Sequence, residues 1–210
     1  MDNLISEKID KFFEDTRIYH GEEVKEKGFY KFSILYLLVR DIKTCFGIDP
    51  ATNKSFTCKN CGNIAFNSAQ WPALMGILAG IDLLGKFYAG SDGVGVGDRF
   101  KNFIYRYFIY EDKNLLKDVL YELRNSMLHS FGLYSDNYNL VLIANNSNPI
   151  IKINNDNVKN TAVINVSKLY LQFLEAIEKY HDELKNNEEL KDNFDRMFGK
   201  YGISTHYKFI

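Results

Sequence analysis

Apolar residues recur at three- and four-residue spacing along much of this 210-residue chain, and that periodicity constrains the fold more than any other feature. The spacing gathers apolar side chains on one face of a helix, and that face is stable only when it is buried against another element. The clearest example is the aromatic-rich stretch from Phe100 to Phe108. We therefore predict a mainly α protein, a bundle of four or five main helices, with helical segments at about 4–19, 29–46, 71–88, 100–108, 113–131, 169–180 and 188–198.

The pattern changes between about 138 and 166. Short apolar or β-branched runs at 140–144, 150–153 and 162–166 are separated by asparagine-rich turns and by Pro149. This sequence pattern predicts two or three strands in a small antiparallel β insertion at about 138–166. The 46% hydrophobic content is enough for a packed core, and the length fits a single domain over 1–210.

Residues 47–67 are polar and rich in turn formers, which predicts a long connection. Cys58 and Cys61 lie within it at the spacing of half a zinc knuckle. A complete tetrahedral site needs two more ligands, for which the chain offers Cys45, distant histidines or the same pair from a second protomer. A structural zinc at Cys58 and Cys61 therefore stays open beside the simpler interpretation, a pair of reduced thiols.

The charge balance limits the classes of partner that the chain can have. A net charge of -1 excludes a global basic field, so any contact with nucleic acid must be local. The opening residues lack the basic start and apolar stretch of a secretory signal. The longest apolar run, at 73–81, is shorter than the roughly 18–20 residues that span a bilayer. We expect a cytoplasmic protein without a membrane segment.

A polar stripe borders the otherwise apolar helix predicted at 113–131. Tyr121, Asn125 and His129 are spaced i, i+4, i+8 and so share one face, with Arg124 about 60° to one side. Histidine can act as a general base or acid near neutral pH, and the forked arginine can hold a phosphate. The simpler interpretation pairs Arg124 with Glu122 or Asp118 and leaves His129 as a helix-terminal residue favoured by the helix dipole.

Two charged residues interrupt the apolar helix predicted at 71–88. Asp82 and Lys86 are four residues apart, so an ion pair within the helix explains both. Charges in such a helix could also border the cleft of the polar stripe, which makes Asp82 and Lys86 candidates for substrate contact, together with Tyr121.

The segment from Tyr121 to Gly132, which reads YELRNSMLHSFG, resembles the active-site motif of the HEPN superfamily. That motif is an arginine, four to six residues and a histidine, commonly with a polar residue after the arginine, near the end of a bundle helix. Arg124, Asn125 and His129 match it. The resemblance covers the motif, its helical setting and the glycine that ends the helix; elsewhere it is limited to the helical pattern.

The resemblance implies a HEPN-like helical bundle that forms a homodimer and brings two motifs together across the interface. It implies a metal-independent endoribonuclease, often a toxin or defence component with an antitoxin partner, and requires no cofactor. Arg124 would hold the phosphate, His129 would move the proton, and Asn125 would orient the substrate or the imidazole. Attack by a 2'-OH would leave a 2',3'-cyclic phosphate. Noncatalytic nucleotide- or RNA-binding modules and interaction subunits on the same fold are the alternative.

Overall fold

The computed structural model describes residues 2–13, 22–24, 29–57, 60–61, 69–144, 148–155 and 158–207. Seven helices and six strands lie within these ranges. The helices are α1 (Asp2–Phe13), α2 (Ile34–Cys45), α3 (Gln70–Ala89), α4 (Val96–Tyr107), α5 (Lys113–Ser130), α6 (Val166–Asn186) and α7 (Glu188–Tyr201). The strands are β1 (Glu22–Val24), β2 (Phe29–Ser33), β3 (Asn139–Ile143), β4 (Ile151–Asn154), β5 (Thr161–Asn165) and β6 (Ile203–Tyr207). The predicted mainly α class is confirmed.

Helix α3 is the centre of the bundle and packs against α2, α4, α5, α6 and α7. Its glycines allow these close contacts. A Cβ atom at Gly80 would lie 2.4 Å from the Phe173 ring of α6, and one at Gly85 would lie 2.8 Å from the backbone oxygen of Arg99 in α4. Buried residues from all seven helices and from strands β3, β4 and β5 form one continuous cluster with this centre.

By length and composition, α3 is the one helix in the described ranges that could cross a bilayer. Half of its apolar window is buried inside the protein, as in the core helix of a soluble fold. It also carries Asp82, whose charge is compensated by another helix. The helix therefore does not indicate a membrane protein.

The first part of the segment predicted as a helix at 29–46 is strand β2, so the prediction is wrong for those residues. Ser33 ends the strand and caps α2, because its hydroxyl accepts the N–H of Tyr36. Strand β2 lies between β1 and β6, antiparallel to both. Helical periodicity missed it because its partner β6 is far along the chain, and such pairing leaves no local signal.

Three strands lie within the predicted insertion, but the sheet is mixed rather than antiparallel. Its order is β3-β5-β4, with β3 and β5 parallel and β4 and β5 antiparallel. The chain passes from β3 to the far edge before β5 fills the centre, an order that turn residues do not specify. Strand β5 runs directly into α6, which is capped by Asn165, because the Asn165 side chain accepts the N–H of Lys168.

Candidate active site

Helix α5 buries one face and presents the other to a cleft. Asp112 caps its first turn by accepting the N–H of Leu115. The cleft has a volume of about 690 Å³ and lies between this face and the loop that follows the helix. Its wall includes seven residues of α5, among them Tyr121, Arg124, Asn125 and His129, together with residues 134–137 of the loop.

The guanidinium of Arg124 joins the candidate residues into one network. Its Nε and Nη2 donate to Oδ2 of Asp82, at 3.1 and 2.6 Å. Its Nη1 donates to Oδ1 of Asn125 at 3.1 Å and lies 2.8 Å from Nε2 of His129. Every nitrogen of the guanidinium is therefore engaged, and the residues matched to the motif meet at a single group.

The contact between Arg124 and His129 orients the imidazole. Arginine carries only donors, so Nε2 of His129 is the acceptor in this hydrogen bond. Its Nε2 lone pair, which a general base would use, faces Arg124. His129 itself is exposed, so solvent or a ligand can reach the ring.

Asp82 and Arg124 form the partly buried ion pair at the base of this network. Their side chains are 15% and 12% exposed, which makes each charge dependent on the other. The predicted ion pair between Asp82 and Lys86 is wrong. Asp82 faces α5 instead, and the Lys86 ammonium lies 4.2 Å above the ring of Tyr201 in α7. Lys86 is therefore outside the cleft wall.

The acids next to Arg124 in sequence have other partners. Glu122 accepts hydrogen bonds from Ser135 and Asn137, and Asp118 pairs with Lys101 at 2.8 Å. The ion pair that the simpler interpretation expects for Arg124 is present, but its partner is Asp82 rather than Glu122 or Asp118. Both acids project from α5 toward the loop or toward α4, whereas Arg124 projects toward α3.

Tyr121 lies at the α4 side of the cleft. Its ring packs against Phe100, with 5.9 Å between ring centroids, and the Lys101 ammonium lies 4.9 Å from its centroid. A Cβ atom at Gly97 would approach its hydroxyl to 2.9 Å, so the glycine makes room for it. Tyr121, Asn125 and His129 thus line one cleft, in agreement with their spacing along the helix.

No protein-family model, curated protein or solved structure matches this chain. The interpretation of the site therefore depends on its own geometry and on the motif.

The predicted zinc site lies partly outside the described residues, since Cys58 is not among them. Cys61 is exposed, and Cys45 is a partly buried thiol whose pKa is raised by burial and by the nearby Asp41 charge. Within the described ranges, no three histidine, cysteine or acidic side chains cluster as metal ligands would. A structural zinc at Cys58 and Cys61 stays a prediction.

The loop that closes the cleft was missed from the sequence. Helix α5 ends at Ser130, and the left-handed residue that follows it is Phe131 rather than the predicted Gly132. Ser135 is buried, and its hydroxyl accepts the N–H groups of Asn137 and Tyr138. The Ser-Asp-Asn run was the available signal, because serine commonly makes such turns with the backbone that follows.

Proposed function

We propose that this protein is a metal-independent endoribonuclease of HEPN type, with Arg124 and His129 acting on one phosphodiester. The observation that carries the proposal is the 2.8 Å approach of Arg124 Nη1 to His129 Nε2 beside an open cleft. Two groups this close can touch the same phosphate and its neighbouring ribose. The match of Arg124, Asn125 and His129 to the motif adds independent support.

The proposed reaction begins when a phosphate oxygen replaces His129 and Asn125 as the acceptor of the Nη1 hydrogens. This exchange frees the Nε2 lone pair next to the incoming ribose. His129 then takes the proton from the 2'-OH, and the 2'-oxygen attacks phosphorus. The bond to the 5'-oxygen breaks, and that oxygen takes a proton from an acid. The products are a 2',3'-cyclic phosphate and a 5'-hydroxyl.

Arg124 stabilises the charge that builds on the phosphoryl oxygens, which is the role of a fixed guanidinium. Asp82 positions it through the opposite edge and does not contact substrate. Asn125 holds Nη1 before substrate arrives. We propose a homodimer, as the motif implies, so that a second motif supplies the acid. A role in defence or as a toxin with an antitoxin partner belongs to the same proposal.

Incubation of the purified protein with mixed RNA in EDTA tests the proposal. Wild type is compared with His129→Ala and Arg124→Gln, and product ends are mapped. Arg106→Gln is the matched control, because Arg106 forms a two-point ion pair with Glu183 on the surface, away from the cleft. We expect cyclic-phosphate ends from wild type and Arg106→Gln, and a loss of at least about a hundredfold in the two site variants.

Intact RNA in every reaction, with all proteins folded, would contradict the proposal. The function would then move to the noncatalytic alternative, which is nucleotide or RNA binding or protein interaction. Cleavage that persists in His129→Ala but stops at a higher EDTA concentration would instead point to a contaminating metal-dependent nuclease.

A further inference from the structure

Two aromatic side chains stand in solvent beside the candidate active site. Phe131 is 70% exposed and Tyr134 is 73% exposed. Phe131 follows His129 by two residues, and Tyr134 forms part of the cleft wall. The Phe131 ring lies 6.5 Å from the Trp71 ring between centroids, and most of the Phe131 and Tyr134 side chains stays open to solvent.

Phe131 also has a backbone conformation that bulky residues rarely adopt. Its φ of 52° is in the left-handed region, where a side chain with a Cβ is strained. Its backbone N–H donates to the Ser126 carbonyl, and the Ser126 hydroxyl closes the turn on the Gly132 carbonyl at 2.8 Å. A strained backbone at a residue whose ring stays mostly exposed, two positions after His129, motivates a functional hypothesis for that ring.

The loop under Tyr134 is held firmly although the ring is exposed. Its neighbour Ser135 is buried, its hydroxyl donates to Glu122, and its carbonyl accepts from the ammonium of Lys159. The same ammonium lies 4.8 Å from the centroid of the Tyr134 ring. The ring is thus an aromatic surface on a fixed backbone, with a positive charge beside it.

We infer that Phe131 and Tyr134 stack on unpaired nucleobases of the RNA that Arg124 and His129 cleave, and so position that RNA at the cleft. This inference rests on the proposed function. Single-stranded RNA is recognised by aromatic rings that take up its unstacked bases. Bases within a duplex are already stacked on each other and cannot reach such rings.

The charges around the cleft agree with this mode of recognition. Its wall carries the acids Glu122 and Asp136, and the charge of Arg124 is offset by Asp82. Such a surface cannot hold RNA by phosphate neutralisation alone. Stacking supplies affinity that does not depend on a basic surface, and Lys159 provides one charge for a neighbouring phosphate.

The test measures binding apart from cleavage. The probe is a fluorescein-labelled 2'-O-methyl RNA dodecamer of mixed sequence, whose capped 2'-oxygen cannot attack phosphorus. It is titrated by fluorescence anisotropy as a single strand and as a duplex with its complement. The proteins are wild type, Tyr134→Ala, Tyr134→Phe and Phe131→Gly. The matched control is Tyr105→Ala, which removes an exposed tyrosine that also lies under lysines but is not part of the cleft wall.

We expect wild type to bind the single strand at least about tenfold more tightly than the duplex. Tyr134→Ala should weaken single-strand binding about tenfold, whereas Tyr134→Phe and Tyr105→Ala should bind like wild type. Phe131→Gly should weaken binding while keeping or raising the melting temperature, because glycine adopts the left-handed backbone without strain. That combination separates a lost contact from a lost fold.

Equal binding of single strand and duplex, or unchanged binding by Tyr134→Ala and Phe131→Gly, would overturn the inference. Equal losses in Tyr134→Ala and Tyr105→Ala would also overturn it. A change of oligomeric state in the two cleft variants, with binding unchanged, would assign the rings to a protein interface. Cleavage of unmodified RNA is assayed in parallel: if it is absent while binding depends on Tyr134, the nuclease proposal fails and the stacking inference stands.

Discussion

One carboxylate oxygen of Asp82 accepts both Nε and Nη2 of Arg124, across the contact between α3 and α5. This grip on one edge of the guanidinium turns the opposite edge, Nη1, toward His129. The other oxygen of Asp82 is buried, and no hydrogen-bond partner for it is found among the described residues. Asp82 is thus committed to Arg124, and it is a positioning residue in the proposed reaction.

Replacement of Asp82 by asparagine should therefore affect stability and turnover together. We expect Asp82→Asn to lower the free energy of unfolding by about 3 kcal/mol, because a partly buried guanidinium loses its counter-charge. Under the proposed function, kcat should fall about tenfold and KM should change less, because Arg124 loses orientation but stays in place. Urea unfolding and steady-state cleavage measure the two effects.

Asp92→Asn is the control for that variant. Asp92 lies just beyond the end of the same helix and pairs with Lys200 on the surface at 3.2 Å. We expect a much smaller loss of stability than in Asp82→Asn, because the pair is exposed to solvent, and normal turnover. If both variants lost stability equally, Asp82 would have no special relationship with Arg124.

The left-handed backbone at Phe131 has a direct thermodynamic test. Phe131→Gly should raise the free energy of unfolding by about 1 kcal/mol, because the strain of a Cβ at φ 52° is removed. Asn53 has a similar φ of 54°, but asparagine tolerates this region, so Asn53→Gly should gain clearly less. Thermal and urea unfolding measure the stability of both variants. A larger gain in Asn53→Gly than in Phe131→Gly would contradict the strain at Phe131.

The close contact between α3 and α4 predicts opposite effects for two Gly→Ala substitutions. At Gly85 the new methyl group would meet the backbone oxygen of Arg99 at 2.8 Å, and backbone cannot move aside as a side chain can. We expect Gly85→Ala to destabilise the protein by about 1–3 kcal/mol. Gly199 lies in α7 with nothing within 4 Å of the same position. Gly199→Ala should therefore stabilise by about 0.5–1 kcal/mol, and equal signs in urea unfolding would contradict this explanation.

His181 gives the fold a dependence on pH. Its ring stacks on Phe13 with 4.4 Å between centroids, and burial, followed by the charge of Lys185, lowers its pKa below the ordinary 6.5. The unfolded chain then binds this proton more readily than the folded protein. The neutral ring therefore stabilises the fold above pH 6.5, and that contribution is lost as pH falls through the lowered pKa.

We expect His181→Phe, which keeps the stacking and removes the titration, to lose less stability than wild type between about pH 7 and about pH 5. Urea midpoints at the two pH values measure the difference. A parallel loss in both proteins would show that other groups set the acid sensitivity in this range.

Local patterns were sufficient for much of the fold, and the reason is physical. The aromatic residues of α4 repeat at helical spacing, and that spacing alone determines which face is buried. The stripe from Tyr121 to His129 lies on one helix, so its members share the cleft wall by geometry. Neither result requires knowledge of a distant residue.

What the sequence left open depends on contacts between distant segments. Asp82 and Arg124 meet across two helices, and an i, i+4 lysine next to Asp82 gave a plausible but wrong local partner. The helix end was predicted at Gly132 because glycine commonly takes the left-handed position, yet Phe131 takes it. Local propensity favours the unstrained glycine, whereas the Phe131 ring contacts Trp71 of α3, with 6.5 Å between centroids, and no local pattern shows that contact.

The pairing of β2 with β6 joins backbone near residue 30 to backbone near residue 205. During synthesis, β2 emerges early and has no partner on that side until almost all of the 210 residues have left the ribosome. For that interval its open edge is a template on which a second nascent chain could add a strand. The order in which the chain is made therefore exposes it to association with its own copies before the bundle is complete.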